Sequence, residues 1–587
     1  MYPTTRKTVT GQNGAVASSH ELASEAAAKT LAAGGNAFDA SVVAAFILQV
    51  VEPHQVSPGG EAVILGLKGP SGSPFALCGQ GYAPAAAAID HFRGLGHKII
   101  PKTGVLTAAV PGGFGAWLSL LREHGTWSLE QALTPAIAVG AQGIPVGAEL
   151  EIMIEKYAEA IAAHWPDTAA VFLPGGRPPK RGATLHNKRL VETLSRLIIK
   201  GQAAGASREG QIEAAIREFY TGFVADSIVG FMSAERPDLQ GSFQRGVMTG
   251  DDLARWQPSA EPALRYDFRG VSVYKAGSWS QGPVMLQVLA LAADLDFGAM
   301  TPLSATYVHE LLERMKLAFA DREAWYGDAP HNNVPFAALL DEDYVAERRS
   351  LIGGRACETL RPGAVGGTVA QLPQGAVGDK AMPDWFVLPD ILPQHGDTCH
   401  LDVADAAGNL VSATLSGGWL HGSPIIPELG FALNTRLEMN WLDPGSASAL
   451  APHRRPRTSL SPTIACRDGE PFMAFGATAA DFQDQWSTQL LLYLLYYEKD
   501  LQTAMDAPMF LSQHWPQSYS PRYAAPASLI VDRRYSDETR AALAQRGHRV
   551  QVRDIVPRGR LFGVMRDQGR FSAAAGLAVP QSAAYAV

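Results

Sequence analysis

Two spacings of apolar residues alternate along the chain. Apolar positions three and four apart mark helices, and apolar residues at every second position mark half-buried strands. Residues 19–33 read as a helix closed by Gly34-Gly35, with Ser18 and Glu21 at capping-box spacing. Residues 37–51 form a second helix, apolar nearly all round and therefore expected to be buried, ending at Pro53. A turn at Ser57-Pro-Gly-Gly60 leads to a short buried strand at 62–67. Helices follow up to His124, over 129–142, and over much of 148–231, with a Pro/Gly/Arg-rich break at 174–182. A strand at 267–275, a helix at 284–295 and a long helix from 306 to about 321 come next. On that long helix His309, Glu310, Glu313, Arg314 and Lys316 read as a solvated face; position 313 is Glu, so no His-Glu-x-x-His zinc motif is present. Periodicity fades over 353–394, a Gly/Pro/Ala-rich linker. Strands at 431–433 and 471–475 and a helix at 485–497 complete the pattern, with no internal repeat.

Directly after the linker comes the most informative stretch, residues 396–416. It alternates on both sides of a turn at Asp405-Ala-Ala-Gly-Asn409, whose Gly408 and Asn409 can take positive φ. Folding it about Ala407 sets Thr398 opposite Ser416, His400 opposite Thr414 and Asp402 opposite Ser412. The alternate pairs are Cys399 with Leu415, Leu401 with Ala413 and Val403 with Val411. One face is apolar and packs on a core. The other carries hydroxyls, an imidazole and a carboxylate, an unusual choice for a merely solvated face. Opposed residues lie about 4.5–5.5 Å apart at Cβ, so Thr398 meets the hydroxyls of Ser416 and Thr414. Threonine becomes a good nucleophile when its own α-amine is free to act as base, because that amine has a pKa of about 7.7–8.0. Such chemistry requires a chain break between Asp397 and Thr398, and an exposed linker is where a chain can be cut without loss of its core. His400 reads as a hydrogen-bonded structural residue, and Cys399, on the apolar face, is excluded as the nucleophile.

Composition narrows the functional classes. The 587 residues are 47% hydrophobic and 18% charged, which is globular, with ample chain for large cores. A net charge of −8 without any basic block argues against nucleic acid. Cys78, Cys357, Cys399 and Cys466 are widely separated, suggesting neither a disulfide framework nor a zinc site. There is no apolar run of about 20 residues and no secretory signal pattern, so the expectation is no membrane span and a cytoplasmic location. The Gly-x-Gly within Cys78–Pro84 lacks the rest of a dinucleotide fingerprint and reads as a closely packed loop.

Taken together, several motifs in order make the chain resemble the γ-glutamyltranspeptidase family of N-terminal-nucleophile hydrolases. They are Ala32-Ala-Gly-Gly-Asn-Ala-Phe-Asp39, Val51-Glu-Pro-His54, Met315-Lys-Leu-Ala-Phe-Ala-Asp321, Gly396-Asp-Thr398, Asp405-x-x-Gly-Asn409, Leu433-Asn434 and Leu460-Ser-Pro-Thr463. The resemblance implies an α+β fold, a four-layer αββα sandwich built from both pieces of a self-cleaved precursor. It implies a large subunit, 1–397, with a flexible linker at about 353–397, and a small subunit, 398–587. Thr398 matches the nucleophile, and Ser416 a hydroxyl residue that hydrogen-bonds it. Thr458 and Ser459 match a serine pair that contacts the substrate carboxylate. Ala479 and Ala480 match a Gly-Gly whose N–H groups form the oxyanion hole; alanine would be strained there if φ is positive. No cofactor and no metal are implied. The partners implied are a small amide substrate and a water or amine acceptor, with the oligomeric state left open, a homodimer of heterodimers included.

The substrate-recognition residues depart from the family pattern. Gln80 and Tyr82 stand where an arginine grips the glutamyl carboxylate. Arg436, with Met439 nearby, stands where acidic or amide residues hold the amine, a like-charge penalty for an ammonium. Gly418, followed by Trp419, replaces an expected asparagine. Arg436 could bind an anionic acyl group or form a surface ion pair; Trp419 could wall a pocket or fill the core. The expected activity is therefore amide hydrolysis or acyl transfer on a γ-glutamyl or related carboxylate-bearing substrate. The alternatives are an oxamate-type amide or keto-acid carbon–carbon bond hydrolase, or an unprocessed metabolite-binding homologue.

Overall fold

A computed structural model describes residues 5–205, 207–328, 336–374, 398–554, 560–577 and 581–587. Two seven-stranded sheets lie face to face between helical layers. The first sheet runs in the order Ala583–Ala586, Gly14–Ser18, Thr398–Asp405, Leu410–Ser416, Glu61–Leu67, Phe75–Gly79, Ser259–Pro262. The second runs Val9–Gly11, Arg570–Ala575, Leu561–Asp567, Glu470–Ala477, Thr463–Arg467, Val271–Lys275, Leu264–Phe268. Small apolar residues such as Ala15, Ala17, Val63, Ala474 and Ala573 fill the space between the sheets. Helices including Ala37–Val51 and Gly113–His124 cover the outer face of the first sheet. Pro283–Leu291 and Gln483–Tyr496 cover that of the second. This is the four-layer αββα arrangement.

The hairpin lies at the centre of the first sheet. Its register is the one expected from the sequence: Thr398 pairs Ser416, His400 pairs Thr414 and Asp402 pairs Ser412. The turn is made by Asp405, whose carboxylate accepts from Asn409 N and Nδ2 at 3.0 and 2.7 Å, while Gly408 takes φ +83°. Asp405 Oδ2 also accepts from Ala37 N, which ties the hairpin to the start of the buried helix. That helix begins at Ala37 as expected, and Asn36 and Asp39 form a capping box that the sequence reading had not assigned.

The polar face of the hairpin is not a solvated one. It does not meet water; it is sealed against the second sheet. His400 is fully buried, its Nδ1 2.9 Å from Thr414 Oγ1 and its Nε2 2.9 Å from Asp402 Oδ2. A Cβ on Gly476 of the facing strand would come 2.3 Å from the His400 ring, so only glycine fits beneath it. Ser412 Oγ donates to Phe475 O across the same gap.

Other expectations need correction. The first helix is Glu21–Ala32, capped by His20 Nδ1 rather than Ser18, because Ser18 belongs to a strand and turns its hydroxyl toward Ser24. The single strand expected at 267–275 is a hairpin, Leu264–Phe268 and Val271–Lys275, turned at Arg269 and Gly270 with positive φ. The face read as solvated on the long helix, Ala305–Trp325, is largely buried. Its charges pair instead of facing water: Arg314 with Glu310 and Asp294, and Lys316 with Glu313 at 2.6 Å. Residues 353–374 contain no helix and no named strand. The rest of the expected linker, with Asp397, lies outside the described residues.

Candidate active site

The register places three side chains in one row. Thr398 pairs Ser416, and Ser416 pairs Glu61 on its other side. Opposed residues share a face, so all three point into the gap between the sheets. All are buried. Beyond Glu61, the pair Ala62–Gly79 puts Gln80 level with it on the next strand. Cys399 points the other way, its thiol pushed well up by burial and held 3.8 Å from Gln55 Oε1, which supports its exclusion as a nucleophile.

Ser416 is followed by two glycines with φ of +84° and +71°. At Gly418 a Cβ would lie 2.0 Å from Ser57 Oγ and 2.8 Å from Ala432 O. No side chain fits there, which accounts for the missing asparagine. The double-glycine turn leads to Trp419, whose indole N–H donates to Gln55 O at 2.9 Å. One face of Trp419 stacks on His421, which stacks in turn on Tyr157. The Arg436 guanidinium also lies against Trp419, 4.8 Å from the ring centroid.

Arg436 is buried, so the surface ion pair is not its role. Its Nε is 2.7 Å from Glu61 Oε1, and Thr458 Oγ1 donates to the same oxygen at 3.0 Å. Burial raises the Glu61 carboxyl above its ordinary range, and Arg436 and Thr458 offset part of that. Ser459 Oγ is 3.1 Å from Tyr519 OH, which approaches Arg436 Nη1 at 3.5 Å. Thr458, Ser459, Trp419 and Arg436 thus gather around the row that starts at Thr398. Gln80 joins its edge, donating from Nε2 to Pro456 O. Tyr82 does not join it: its hydroxyl donates to Asp252 O at 2.7 Å and its ring meets His453 edge-on.

The strand Glu470–Ala477, which faces the hairpin through Gly476, runs directly into Ala479 and Ala480. Both alanines have positive φ, +78° and +47°. These are glycine conformations occupied by alanine, at a cost of about 1–2 kcal/mol each. The loop is held by its successor. Asp481 Oδ1 pairs with Arg322 Nη1 at 2.7 Å and accepts from Ser518 Oγ, and Gln281 Nε2 donates to Ala480 O. These partners keep the Asp481 carboxyl below its ordinary range despite its burial.

Glu61, Tyr519 and the Asp481–Arg322 pair escaped the sequence reading. Glu61 had a signal, a lone carboxylate heading an apolar strand beside the hairpin. Tyr519 had none, lying in an aperiodic Pro516-Gln-Ser-Tyr-Ser-Pro521 loop. Elsewhere, His309, Glu313 and His548 bring ligand atoms within 4.8 Å of one another. Each is already engaged: His309 Nδ1 with His548 Nε2, His309 Nε2 with Gly353 O, and Glu313 with Lys316 and Arg361. Two cations therefore face the Glu313 carboxylate, and only His548 Nδ1 of this group lacks a hydrogen-bond partner among the described residues.

Known proteins are similar to this chain over nearly its whole length. The family model described as gamma-glutamyltranspeptidase matches residues 23–586. The chain is 29% identical over 549 residues to the glutathione hydrolase-like YwrD proenzyme of Bacillus subtilis, spanning 93% of each. It superposes on the solved structure of LmbA2991HD with a TM-score of 0.93 and 44% identity, covering 99% of this chain and 100% of that one. Against the cephalosporin acylase of Bacillus halodurans the TM-score is 0.82 at 26% identity, covering 100% of this chain and 98% of that one.

Proposed function

The chain belongs to the γ-glutamyltranspeptidase family and is a hydrolase or acyltransferase acting on amides; from that premise we propose that it cleaves itself before Thr398 and works through an acyl-threonine intermediate. The observation that carries this reading is the row Thr398–Ser416–Glu61, set into the gap that the strand leading to Ala479–Ala480 faces. Cleavage frees the α-amine of Thr398. That amine takes the proton as Thr398 Oγ attacks the amide carbonyl of the substrate. The oxyanion is met by N–H groups near Ala479 and Ala480, an effect worth about 3–4 kcal/mol per donor. The α-ammonium returns that proton to the departing amine; the α-amine then deprotonates water or a second amine as it attacks the acyl-threonine ester, and the proton passes to Thr398 Oγ as it is released.

The substrate is a carboxylate-bearing acyl amide, γ-glutamyl or a shorter relative. Arg436, Thr458, Ser459 and Trp419 form the acyl pocket. Because Glu61 already neutralises Arg436, the pocket offers one shared ion pair rather than a free cation. A strictly dianionic acyl group is therefore less well matched than one that carries a donor as well.

Intact-mass spectrometry tests the first step. Two pieces of about 42 and 20 kDa are expected, dividing the 62.6 kDa chain in proportion to the residues on each side of the break. Release of aniline from γ-glutamyl, oxalyl and glutaryl anilides tests the second. A single unbroken chain in an active preparation would sink the proposal.

A further inference from the structure

Behind the Thr398 strand, on the helix side of the first sheet, lies a buried ionic cluster that the reaction above does not use. Its centre is Glu149, buried in the first turn of the helix Ala148–His164. Glu149 Oε1 takes the Nη2 of Arg560. Glu149 Oε2 accepts from Gln55 Nε2 at 3.0 Å, a donor it shares with Glu52 Oε2 at 2.9 Å. Each of these partners uses its main-chain carbonyl to hold part of the candidate site. Arg560 O accepts the N–H of Thr478 at 3.0 Å, one rung beyond the Ala477–Leu561 pair and immediately before Ala479. Gln55 O accepts the indole N–H of Trp419. Gln55 also meets Cys399, the residue after Thr398, at Sγ.

A buried ion pair is weak evidence for stability, since an apolar pair of similar volume often serves as well. It does fix direction: a carboxylate gripping two partners from two oxygens sets where both of their backbones run. We propose that Glu149 is a positioning residue, holding the 478–480 loop through Arg560 and the Trp419 wall through Gln55. This rests on the reading of Thr398 and that loop as the reacting centre. Glu149 and Gln55 precede Thr398 in the chain and Arg560 follows it, so the brace also spans the proposed break.

Hydrogen exchange of the full chain, wild type against Glu149→Gln, tests the brace without any substrate. Peptides covering 478–482 and 417–421 are expected to exchange at least tenfold faster in the variant, while those covering 463–475 stay unchanged. Acceleration confined to the neighbourhood of residue 149 would overturn the proposal. If wild type turns over no acyl amide, the reading of the reaction fails, and exchange still judges the brace. With active protein, kcat per burst-titrated site should fall at least tenfold in Glu149→Gln and recover in part in Glu149→Asp; a per-site kcat equal to wild type also overturns it. Glu149→Met combined with Arg560→Met removes both charges together and keeps the fold. That variant should melt near wild type yet retain fast exchange at 478–482, and wild-type exchange there would refute the directing role.

Discussion

At the scale of single residues, Thr398, Arg436 and the two alanines carry the testable chemistry. Thr398→Ala is expected to stay one chain and release no aniline; cleavage at the same point, read by intact mass, would exclude this hydroxyl. Ala479→Gly removes a β-carbon from a left-handed backbone at φ +78° and should raise stability by about 1 kcal/mol in chemical denaturation. Any loss of stability would mean that the loop's packing outweighs its strain. Arg436→Ala strands Glu61 as a buried unpaired carboxylate, a destabilisation of about 3–5 kcal/mol. KM for an anionic acyl amide should rise at the same time. Replacing both, Glu61→Gln with Arg436→Gln, should recover most of that stability; urea melts of the three proteins check it. Alternation in the sequence sets Thr398 opposite Ser416, and the structure has that pairing. That alternation leaves Glu61 unnamed, because the register of a third strand cannot be deduced from the hairpin alone.

At the scale of elements, legibility followed how local the determinants are. The 398–416 hairpin could be read residue by residue, since a tight Gly-containing turn and strict alternation leave one register. The helix Ala37–Val51 was equally plain, an apolar run in one segment that stops before Pro53. The helix Ala305–Trp325 was misjudged because its internal pairs, Arg314 with Glu310 and Lys316 with Glu313, are completed from outside by Asp294, Cys357 O and Arg361. No pattern within the helix reports partners that distant. The same reason hid the inward orientation of His400: alternation assigns two faces but not which of them meets the second sheet. An element-scale prediction follows from Gly476. Gly476→Val would drive a side chain into the His400 ring and separate the sheets; a drop in melting temperature accompanied by loss of self-cleavage is expected on gels, and normal cleavage would show that the gap tolerates a side chain.

At the scale of the whole molecule, the strands of both proposed subunits are interleaved. In the first sheet Thr398–Asp405 sits between Gly14–Ser18 and Leu410–Ser416, and in the second Val271–Lys275 pairs Thr463–Arg467. The two pieces are therefore expected to co-elute in size exclusion after cleavage and to part only in denaturant. Buried carboxyls are expected to make stability depend on pH. Burial, and then Glu149, raises the Glu52 carboxyl well above its ordinary value of 4.5. Folded protein then binds more protons than unfolded chain from about pH 4.5 up to that raised value, so stability falls as pH climbs through this interval. Glu52→Gln should flatten the fall in thermal melts taken across it; an unchanged slope would assign the effect elsewhere. Interleaving would also set the order of events for the proposed cleavage. A severed terminus can become the middle strand of a sheet only if its neighbours were already in place when the bond broke. Scission before Thr398 would thus work as a certificate of completed assembly, withholding the reactive amine from any copy that has not yet brought its distant ends together.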